Sequence, residues 1–466
     1  MLQGKLRTAF FLLFVLSFFV TSGSILFYAY GFRFDTTRNL FIYGGSITLK
    51  SNPVQINVTL DGVPIPEKDL SRLNQSYHIT GIAPGEHFLE VSTPGYQAWN
   101  KRIIVRSGIS NEFWNITLPR QNYETTPYPN TDGLIRYFQS PEPTVSAGID
   151  DRDQTVRISM YDTEQTLNIP LYQQPNASLA LEKNENLEWS TAADRIVFPV
   201  LLEEKRHIIT VDTETKAIRD LSIELNQFSM RRPRWNPSVR DSLLYQIDDR
   251  LYRLDLGIAN DSVLEPMLLA EHVATYDISG SDIFIAQQND NHIYRFSANQ
   301  KEPVFRLVVA DSLANLDQTA TLVVYDEYRI ALISSQGSLT FFNDYLDERK
   351  VRTLAEQDIV GVQFSDDGKK LLFFSHNAIS VYFIQPWEVQ PKRDQDTVWQ
   401  ISRFADPISA IQWTKDYEHV LYLNGSRVFI TELDNRDQRN INELIRFDRP
   451  PLQILSRVSA NQIFFV

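Results

Sequence analysis

Hydrophobic and polar positions divide the chain into one long apolar run followed by many short alternating runs. The long run extends from Ala9 to Phe32 and contains no charged residue. A helix of this length reaches roughly 36 Å, which exceeds the hydrocarbon layer of a bilayer at about 30 Å. We therefore predict a transmembrane helix over residues 9–32, a cytoplasmic tail over residues 1–8 and a juxtamembrane segment over residues 33–43.

A cleavable signal peptide is the alternative interpretation of the same apolar run. Lys5 and Arg7 precede it, and small residues at 22–24 are typical of a cleavage site. The apolar run resumes at Ile25, however, so it is longer than an ordinary signal core, and a retained anchor is predicted. The basic residues ahead of the run place the amino terminus in the cytoplasm and the bulk of the chain outside it.

Short alternating runs separated by turn residues fill residues 44–119, which predicts a small antiparallel β domain. Ile47 to Ser51 and Ile56 to Leu60 alternate, and the second run ends in an Asp61-Gly62 turn. Phe88 to Val91 alternates out of a Pro84-Gly85 turn. Such strands can pair as a small sandwich.

These residues resemble the PEGA domain, a small extracytoplasmic β-sandwich of bacterial and archaeal surface proteins. The matching elements, in the family's order, are Ser51-x-Pro53, Val58-x-x-Asp61-Gly62, Pro84-Gly85-x-His87, Gly95-Tyr96 and Val105-x-x-Gly108. Only Pro53 remains of the tetrapeptide that names the family. The resemblance implies a fold, a prokaryotic source and a surface location, and it brings no catalytic residue with it.

After a polar linker at residues 120–133, residues 134–466 contain a repeated unit. An aromatic or apolar residue is followed by two β-rich runs, and the unit recurs about every 40 to 50 residues. The repeats begin at Trp189, Trp235, Tyr276, Val323, Phe364 and Trp413. This period with short strands predicts a β-propeller, and the chain as a whole is predicted to be all-β apart from its anchor.

The run from Phe364 to Phe373 resembles the blade motif of bacterial Tol-type propellers, with Asp366 where proline is usual. The chain contains no repeated Trp-Asp dipeptide, which would have favoured the Trp-Asp repeat family instead. The chain ends on an apolar strand, which needs a partner. We therefore predict that the two ends of this region share one blade and close a ring of seven, with eight blades as the alternative.

Composition and charge exclude several kinds of binding and catalytic site. A net charge of -13 argues against a broad nucleic-acid-binding surface, and the absence of cysteine excludes disulfides and thiolate chemistry. The histidines do not form ligand pairs, and no phosphate-binding loop, nucleophile elbow or dinucleotide fingerprint occurs. We expect no metal, no cofactor and no catalytic residue.

Two sets of residues are candidates for binding a partner. Arg231, Arg232 and Arg234 form a basic cluster that could receive a carboxylate or phosphate, or could pair with neighbouring acidic residues. The extended loop at residues 386–399 carries two tryptophans and adjacent charges, which could either bind a partner or pin the loop to the propeller. Its candidate residues are Trp387, Lys392, Arg393 and Trp399.

These features predict a non-enzymatic binding or scaffolding protein of the cell envelope. The membrane anchor would hold the sandwich as a spacer, and the propeller would recognise a protein or an envelope glycan. A hydrolase with its site in the propeller channel is the alternative, because propellers also host enzymes. A third interpretation is an envelope sensor or assembly factor whose partner lies in the membrane.

Overall fold

A computed structural model describes most of the chain. The described residues are 2–29, 32–35, 40–66, 71–73, 75–127, 134–142, 145–162, 167–182, 185–257, 264–290, 292–297, 305–308, 316–346, 351–448, 450–451, 454–457 and 462–465.

The amino-terminal apolar run forms one helix. Helix α1 spans Leu2–Ala29, so it begins earlier than predicted and ends before Phe32, which belongs to a strand. The early start is reasonable because neither Lys5 nor Arg7 interrupts helical backbone geometry. The segment Phe10–Tyr28 is long and apolar enough to cross a membrane, and none of it is buried against the rest of the protein.

A hairpin and a two-sheet sandwich follow the helix. The strands, in order, are β1 (Phe32–Asp35), β2 (Leu40–Tyr43), β3 (Gly45–Asn52), β4 (Asn57–Leu60), β5 (Val63–Pro64), β6 (Ser71–Leu73), β7 (Ser76–Ile82), β8 (Gly85–Ser92), β9 (Trp99–Val105) and β10 (Ser110–Thr117). Strands β1 and β2 pair with each other. One sandwich sheet has the order β10-β3-β7-β6 and the other β5-β4-β8-β9.

Alternation of apolar residues explains the core of the sandwich. In β9 every second side chain is buried and those between are exposed. Inward-facing residues of both sheets, including Leu49, Tyr77, Leu89 and Phe113, form a single cluster. The two sheets therefore bury one face each, as the alternating pattern predicted.

The first three complete sheets of the following region are built from consecutive strands. Strand β11 (Glu124–Pro127) precedes these sheets along the chain and does not belong to them. The elements of the three sheets and the helix that follows β20 are β12 (Arg136–Gln139), β13 (Val145–Arg152), β14 (Thr155–Asp162), β15 (Leu167–Pro175), β16 (Ala177–Leu179), β17 (Glu188–Trp189), β18 (Arg195–Leu202), β19 (Lys205–Asp212), β20 (Ile218–Asp220), the short helix α2 (Leu221–Glu224), β21 (Arg231–Trp235), β22 (Ser242–Ile247), β23 (Arg250–Asp255) and β24 (Met267–Ala270). The sheets are β12 to β15, β16 to β20 and β21 to β24.

Four further sheets follow the same plan. Their strands are β25 (Val273–Ser279), β26 (Asp282–Gln287), β27 (His292–Ser297), β28 (Phe305–Val308), β29 (Thr321–Asp326), β30 (Arg329–Ile333), β31 (Leu339–Asn343), β32 (Val351–Ala355), β33 (Gly361–Phe364), β34 (Lys370–Phe374), β35 (Ala378–Phe383), β36 (Thr397–Arg403), β37 (Ile408–Trp413), β38 (His419–Asn424), β39 (Arg427–Glu432) and β40 (Ile441–Arg446), after which come β41 (Ile454–Arg457) and β42 (Gln462–Phe465). Each of the four consists of four consecutive antiparallel strands.

Hydrophobic clusters lie between successive sheets, which is the packing of a β-propeller. In β18, Ile196 and Phe198 pack towards the preceding sheet, whereas Val197 between them packs towards the following one. Strand β30 repeats this division, with Ile330 on one side and Ala331 on the other. Both faces of each second strand are therefore buried, and the predicted all-β class with a propeller is confirmed.

The two ends of the propeller region share a sheet. Strand β11 pairs in parallel with β42, which pairs antiparallel with β41. The carboxyl-terminal strands therefore do pair with an earlier strand, but that strand, β11, lies in the segment predicted to be a linker, and the first strands of the predicted propeller region form a complete sheet of their own. The sequence predicted seven blades with eight as the alternative, and the described residues that follow the sandwich contain seven sheets of four or five strands plus this shared three-stranded sheet.

Tryptophans at the starts of three sequence repeats bond their sheets to the preceding ones. The Nε1 of Trp189 donates to the carbonyl of Phe138 at 3.3 Å, and that of Trp235 donates to Glu188 at 3.2 Å. Trp413 donates in the same way to Gln363 at 3.3 Å. Phe138 and Gln363 belong to the first strands of the preceding sheets, and Glu188 belongs to β17 of its sheet, so the repeated tryptophan joins neighbouring blades.

We expect Trp235→Phe to destabilise the propeller, because the buried carbonyl of Glu188 loses its donor and packing volume is lost. The hydrogen bond alone is worth about 1 kcal/mol. Equilibrium urea unfolding, followed by circular dichroism, measures the loss. Trp114→Phe is the matched control, since Trp114 bonds only within its own strand, to Glu112. Equal destabilisation by both substitutions would contradict the proposed tie between blades.

A buried His–Asp pair at the start of β38 makes stability depend on pH. His419 is 4% exposed, and its Nδ1 lies 2.8 Å from Asp416 Oδ2. Burial alone would lower the pKa of His419, but the charge of Asp416 outweighs it and raises that pKa above 6.5. Burial likewise opposes ionisation of Asp416, and the bond to His419 outweighs it, so the pKa of Asp416 lies below 3.8.

The raised histidine pKa contributes stability below about pH 6.5, and this contribution is lost as pH rises through the folded-state value. The lowered aspartate pKa contributes above about pH 3.8 and is lost at lower pH. We expect His419→Asn to reduce the fall in unfolding free energy between about pH 6 and 9 by on the order of 1 kcal/mol. His272→Asn is the control, since the His272 side chain is 72% exposed. Identical pH profiles for wild type and His419→Asn would disprove this assignment.

Candidate functional site

A polar recess is lined by residues of four consecutive blades, which lie on or beside strands β17, β21, β25 and β29. Strands of neighbouring sheets contact each other here, as β17 does with β21 and β25 does with β29, which places these strands towards the propeller axis. The recess has a volume of about 250 Å³. Its lining includes Glu185, Asn186, Glu188, Arg232, Arg234, Thr275, Asp277 and Thr321.

Arg234 is held between two carboxylates in this recess. Its Nη1 bonds to Asp277, and its Nε lies 3.7 Å from Glu188 Oε1. Burial alone would lower the pKa of Arg234, but Glu188 and Asp277 outweigh it and raise that pKa. Asp277 also accepts a hydrogen bond from Val324 N at 2.8 Å, so the series of contacts from Glu188 through Arg234 and Asp277 to Val324 joins four adjacent blades.

Glu188 is the least satisfied of the acidic groups in the recess. Burial raises its pKa, an effect that the charge of Arg234 opposes and that of Asp277 reinforces. A carboxyl group with a raised pKa can hold or release a proton near neutral pH more readily than an ordinary glutamate. This is the one feature of the recess that favours acid–base chemistry.

Arg232 has a different environment, composed mainly of neutral acceptors. Its guanidinium donates to Thr275 Oγ1 at 2.9 Å and to the carbonyls of Gln318 and Ala320. Its backbone N donates to Glu185 Oε1 at 2.6 Å, and Glu185 also pairs with Arg206. Burial lowers the pKa of Arg232, although nearby negative groups oppose the shift.

The predicted basic cluster is therefore divided among three environments. Arg231 is exposed beside Glu182 at 3.3 Å, whereas Arg232 and Arg234 face the recess. Two of the three arginines pair with acidic residues through their side chains, and the third contacts neutral oxygen atoms. Only Arg232 and Arg234 are brought together in a concave site.

The 386–399 loop is fixed to the propeller through its arginine. Arg393 is 3% exposed and forms a bidentate pair with Glu418, at 2.8 and 2.6 Å. Glu418 also forms an ion pair with Lys370, with 2.5 Å between Glu418 Oε1 and Lys370 Nζ. Burial lowers the pKa of Lys370, and the charge of Glu418 opposes that shift. A single carboxylate thus holds two buried cations between consecutive blades.

Both tryptophans of the predicted loop contact this buried cluster, although the loop ends earlier than predicted and Trp399 lies in strand β36, opposite Val381. Trp387 lies under Lys370, with 4.8 Å from Nζ to the ring centroid, and Trp399 packs edge-on against Phe383. Lys392 is 71% exposed and lies 3.7 Å from Glu388. Of the four candidate residues in the loop, only Lys392 presents a largely free charged group to solvent.

A second functional feature, which the sequence analysis missed, fixes the sandwich to the propeller. Lys101 is fully buried, and its Nζ lies 2.6 Å from Glu432 Oε1. The other carboxylate oxygen accepts Trp99 Nε1 at 2.8 Å. Lys101 also donates to the carbonyls of Asp434 and Gln438, so its charge is fully surrounded by oxygen atoms.

Further contacts extend this interface to the loop. Gln390 accepts from Glu112 N at 3.1 Å and donates to Ser110 O at 2.9 Å, as a neighbouring strand would. The Arg436 guanidinium lies 3.9 Å from the ring centroid of Phe113. The loop thus contributes to docking the sandwich as well as to pinning itself.

One feature of the sequence could have identified Lys101 as a residue with a special role. It occupies an inward position in β9 between Trp99 and Ile103, where the alternation demands an apolar residue. Glu188 and Arg234 each immediately precede a repeated tryptophan, so alignment of the repeats would have placed them on equivalent positions of adjacent first strands. Neither signal identifies the bonding partners, which lie far away in sequence.

The structure defines the chain as a β-propeller preceded by a small β-sandwich and an apolar helix. The model of the PEGA domain family matches residues 44–122. The resemblance noted from the motifs is therefore confirmed for the sandwich. No curated protein matches the chain.

Solved structures similar to this chain include other propeller proteins. Dihydro-heme d1 dehydrogenase NirN has a TM-score of 0.45 at 12% identity, over 67% of this chain and 66% of that one. The C-terminal WD40 domain of Sif2 has a TM-score of 0.42 at 12% identity, over 65% and 82%. The propeller domain of Swd1 from Myceliophteria thermophila has a TM-score of 0.40 at 10% identity, over 70% and 100%. At these scores the fold assignment rests on the sheet topology, and no activity is transferred.

We expect Lys101→Met to destabilise the protein by about 3–5 kcal/mol, because it leaves the Glu432 charge buried without its partner. The double variant Lys101→Met with Glu432→Gln should recover part of that loss. Urea unfolding of the four proteins of this double-mutant cycle measures the coupling. Lys50→Met, at an exposed position in β3, is the control. Additive effects would show that Lys101 and Glu432 are not energetically coupled.

Proposed function

We propose that this chain is a membrane-anchored, non-enzymatic binding or scaffolding protein of a prokaryotic cell envelope. In this proposal the recess between the first strands of the propeller recognises a polar segment of a protein or of an envelope glycan. The observation that carries the proposal is the recess itself, in which charged and neutral polar groups are held at fixed positions by bonds to three blades.

The anchoring part of the proposal is supported by helix α1. None of its apolar segment is buried inside the protein, and leaving such a segment unburied costs free energy in water but not in a bilayer. A retained span with the amino terminus in the cytoplasm places the sandwich and the propeller outside the cell. The PEGA match to residues 44–122 agrees with that location.

Binding is favoured over catalysis by how the charges in the recess are used. Arg234 and Asp277 neutralise each other, and Glu185 pairs with Arg206. Groups committed to such pairs give specificity through their remaining hydrogen-bonding positions more readily than they transfer protons. The alternative of an extracytoplasmic hydrolase rests on Glu188, whose raised pKa and position beside Asp277 suit a general acid.

Capture of partners from solubilised envelopes tests the proposal. The bait is the tagged full-length chain, and the recess variant is Asn186→Ala combined with Thr321→Ala, which removes two lining polar groups and keeps every arginine pair. We expect this variant to recover at least about tenfold less of a specific partner, equivalent to about 1.4 kcal/mol. Arg250→Ala, at an exposed position outside the recess, should leave recovery unchanged.

The remaining outcomes distinguish the alternatives. Loss of the partner with Lys392→Ala, and not with the recess variant, would move the binding surface to the 386–399 loop. Release of soluble fragments from envelope glycans or peptides, abolished by Glu188→Gln, would establish the hydrolase instead. Recovery of the same proteins by wild type and all variants would contradict recognition at either surface.

A further inference from the structure

A continuous series of aromatic contacts connects helix α1 to the sandwich. Phe27 stacks on Phe32 of β1 with 4.2 Å between centroids, and it contacts Phe41 of β2 at 5.2 Å. Phe32 in turn stacks on Tyr43 at 5.0 Å. The hairpin therefore packs directly against the end of the helix and holds the start of the sandwich close to it.

The turn that follows β9 packs against the hairpin and the start of the sandwich. Gly108 has a φ of 69°, and a side chain there would collide with Tyr43. Gly108 N donates to Gly44 O at 3.1 Å, and Ser46 N donates to Ile109 O at 3.2 Å. The turn after β9 thus lies beside the segment that leads back to the helix.

The residues around this turn form a surface that we call the basal edge, composed of Ile104, Arg106, Ser107 and Ile109. Ile104 is 66% exposed and Ile109 is 49% exposed. Ile104, Arg106 and Ile109 border an open cavity of about 400 Å³, which Gln390, Arg436 and Asp437 of the propeller also line. The exposed ring of Phe41, at 62%, extends the apolar character towards the helix.

The basal edge carries charges of both signs. Arg106 is exposed, and within the described parts of the chain it forms no ion pair. Glu86 lies opposite Ile104 on the neighbouring strand, so the edge is mixed in charge rather than strongly basic. Exposed isoleucines, aromatic rings and an arginine are the composition of a surface at a membrane interface.

We propose that the basal edge rests on the headgroup layer of the bilayer that carries α1, with Ile104 and Ile109 in the interfacial region and Arg106 on lipid phosphates. The proposal rests on the proposed function, because it requires α1 to span the membrane. Chain continuity selects this occupant, since the aromatic contacts hold the edge beside the end of the helix. Strand β9 then leads from the edge to Lys101, so the propeller would stand at a fixed height above the membrane.

The absence of cysteine allows single labelling sites to test this placement. The full-length chain is reconstituted into phosphatidylcholine nanodiscs as Ser17→Cys, Ser107→Cys or His376→Cys, each carrying the same fluorophore. Quenching is measured with spin labels attached to lipid headgroups or to acyl chains. Ser17 lies within α1, Ser107 lies on the basal edge, and His376 lies at an exposed turn between the second and third strands of a propeller sheet.

We expect the headgroup probe to quench Ser107→Cys at least fivefold more than His376→Cys. Adding Ile104→Asp and Ile109→Asp should abolish that difference, and Arg106→Ala should reduce it. Circular dichroism confirms that the variants remain folded, and both aspartates replace exposed residues.

Each of the remaining outcomes contradicts a specific part of the proposal, either the basal edge or the anchor. Acyl-chain quenching of Ser17→Cys with no headgroup quenching of Ser107→Cys would overturn the basal-edge proposal and leave the anchor intact. Absence of quenching at Ser17→Cys would overturn the anchor and, with it, the basal edge. Protection of Ser107→Cys that depends on protein concentration and not on the lipid probe would assign the edge to a second copy of the chain.

Discussion

Burial of both faces of every propeller sheet is the constraint on which this structure depends. A four-stranded sheet cannot cover itself, so Val197 and its neighbours Ile196 and Phe198 must find opposite sheets on either side. The tryptophan N–H bonds add direction to this packing, because each one fixes how far a blade can rotate against the one before it. A ring under that constraint also needs its ends joined, which strands β11 and β42 provide.

The same rule extends to charges, which are buried here only with partners. Glu418 receives both Lys370 and Arg393, and Glu432 receives Lys101 together with a tryptophan N–H. A buried pair of this kind adds little net stability compared with apolar residues, but loss of one member is costly. Its contribution is therefore specificity: it permits one docking geometry of the sandwich and one conformation of the loop.

Much of the fold could be predicted because its main signals are local and periodic. The repeat spacing, the apolar second strands and the turn residues gave the propeller, and five short motifs gave the sandwich. The recess could not be predicted, since Arg234, Glu188 and Asp277 come together only when three blades stack. Lys101 was visible as a break in the alternation of β9, yet its partner lies on a strand far along the chain. Pairing across such distances depends on tertiary geometry that residue patterns do not encode.

Rigid docking has a consequence for how a binding surface would operate. Three independent contacts, through Lys101, Gln390 and Phe113, join the sandwich to the propeller. A hinge motion between them would have to separate the buried ammonium from Glu432, a step that costs several kcal/mol. The propeller is therefore held in one orientation relative to the sandwich and cannot search for a partner by pivoting on it. Such an arrangement would suit a scaffold that presents its recess at a defined angle to the sandwich.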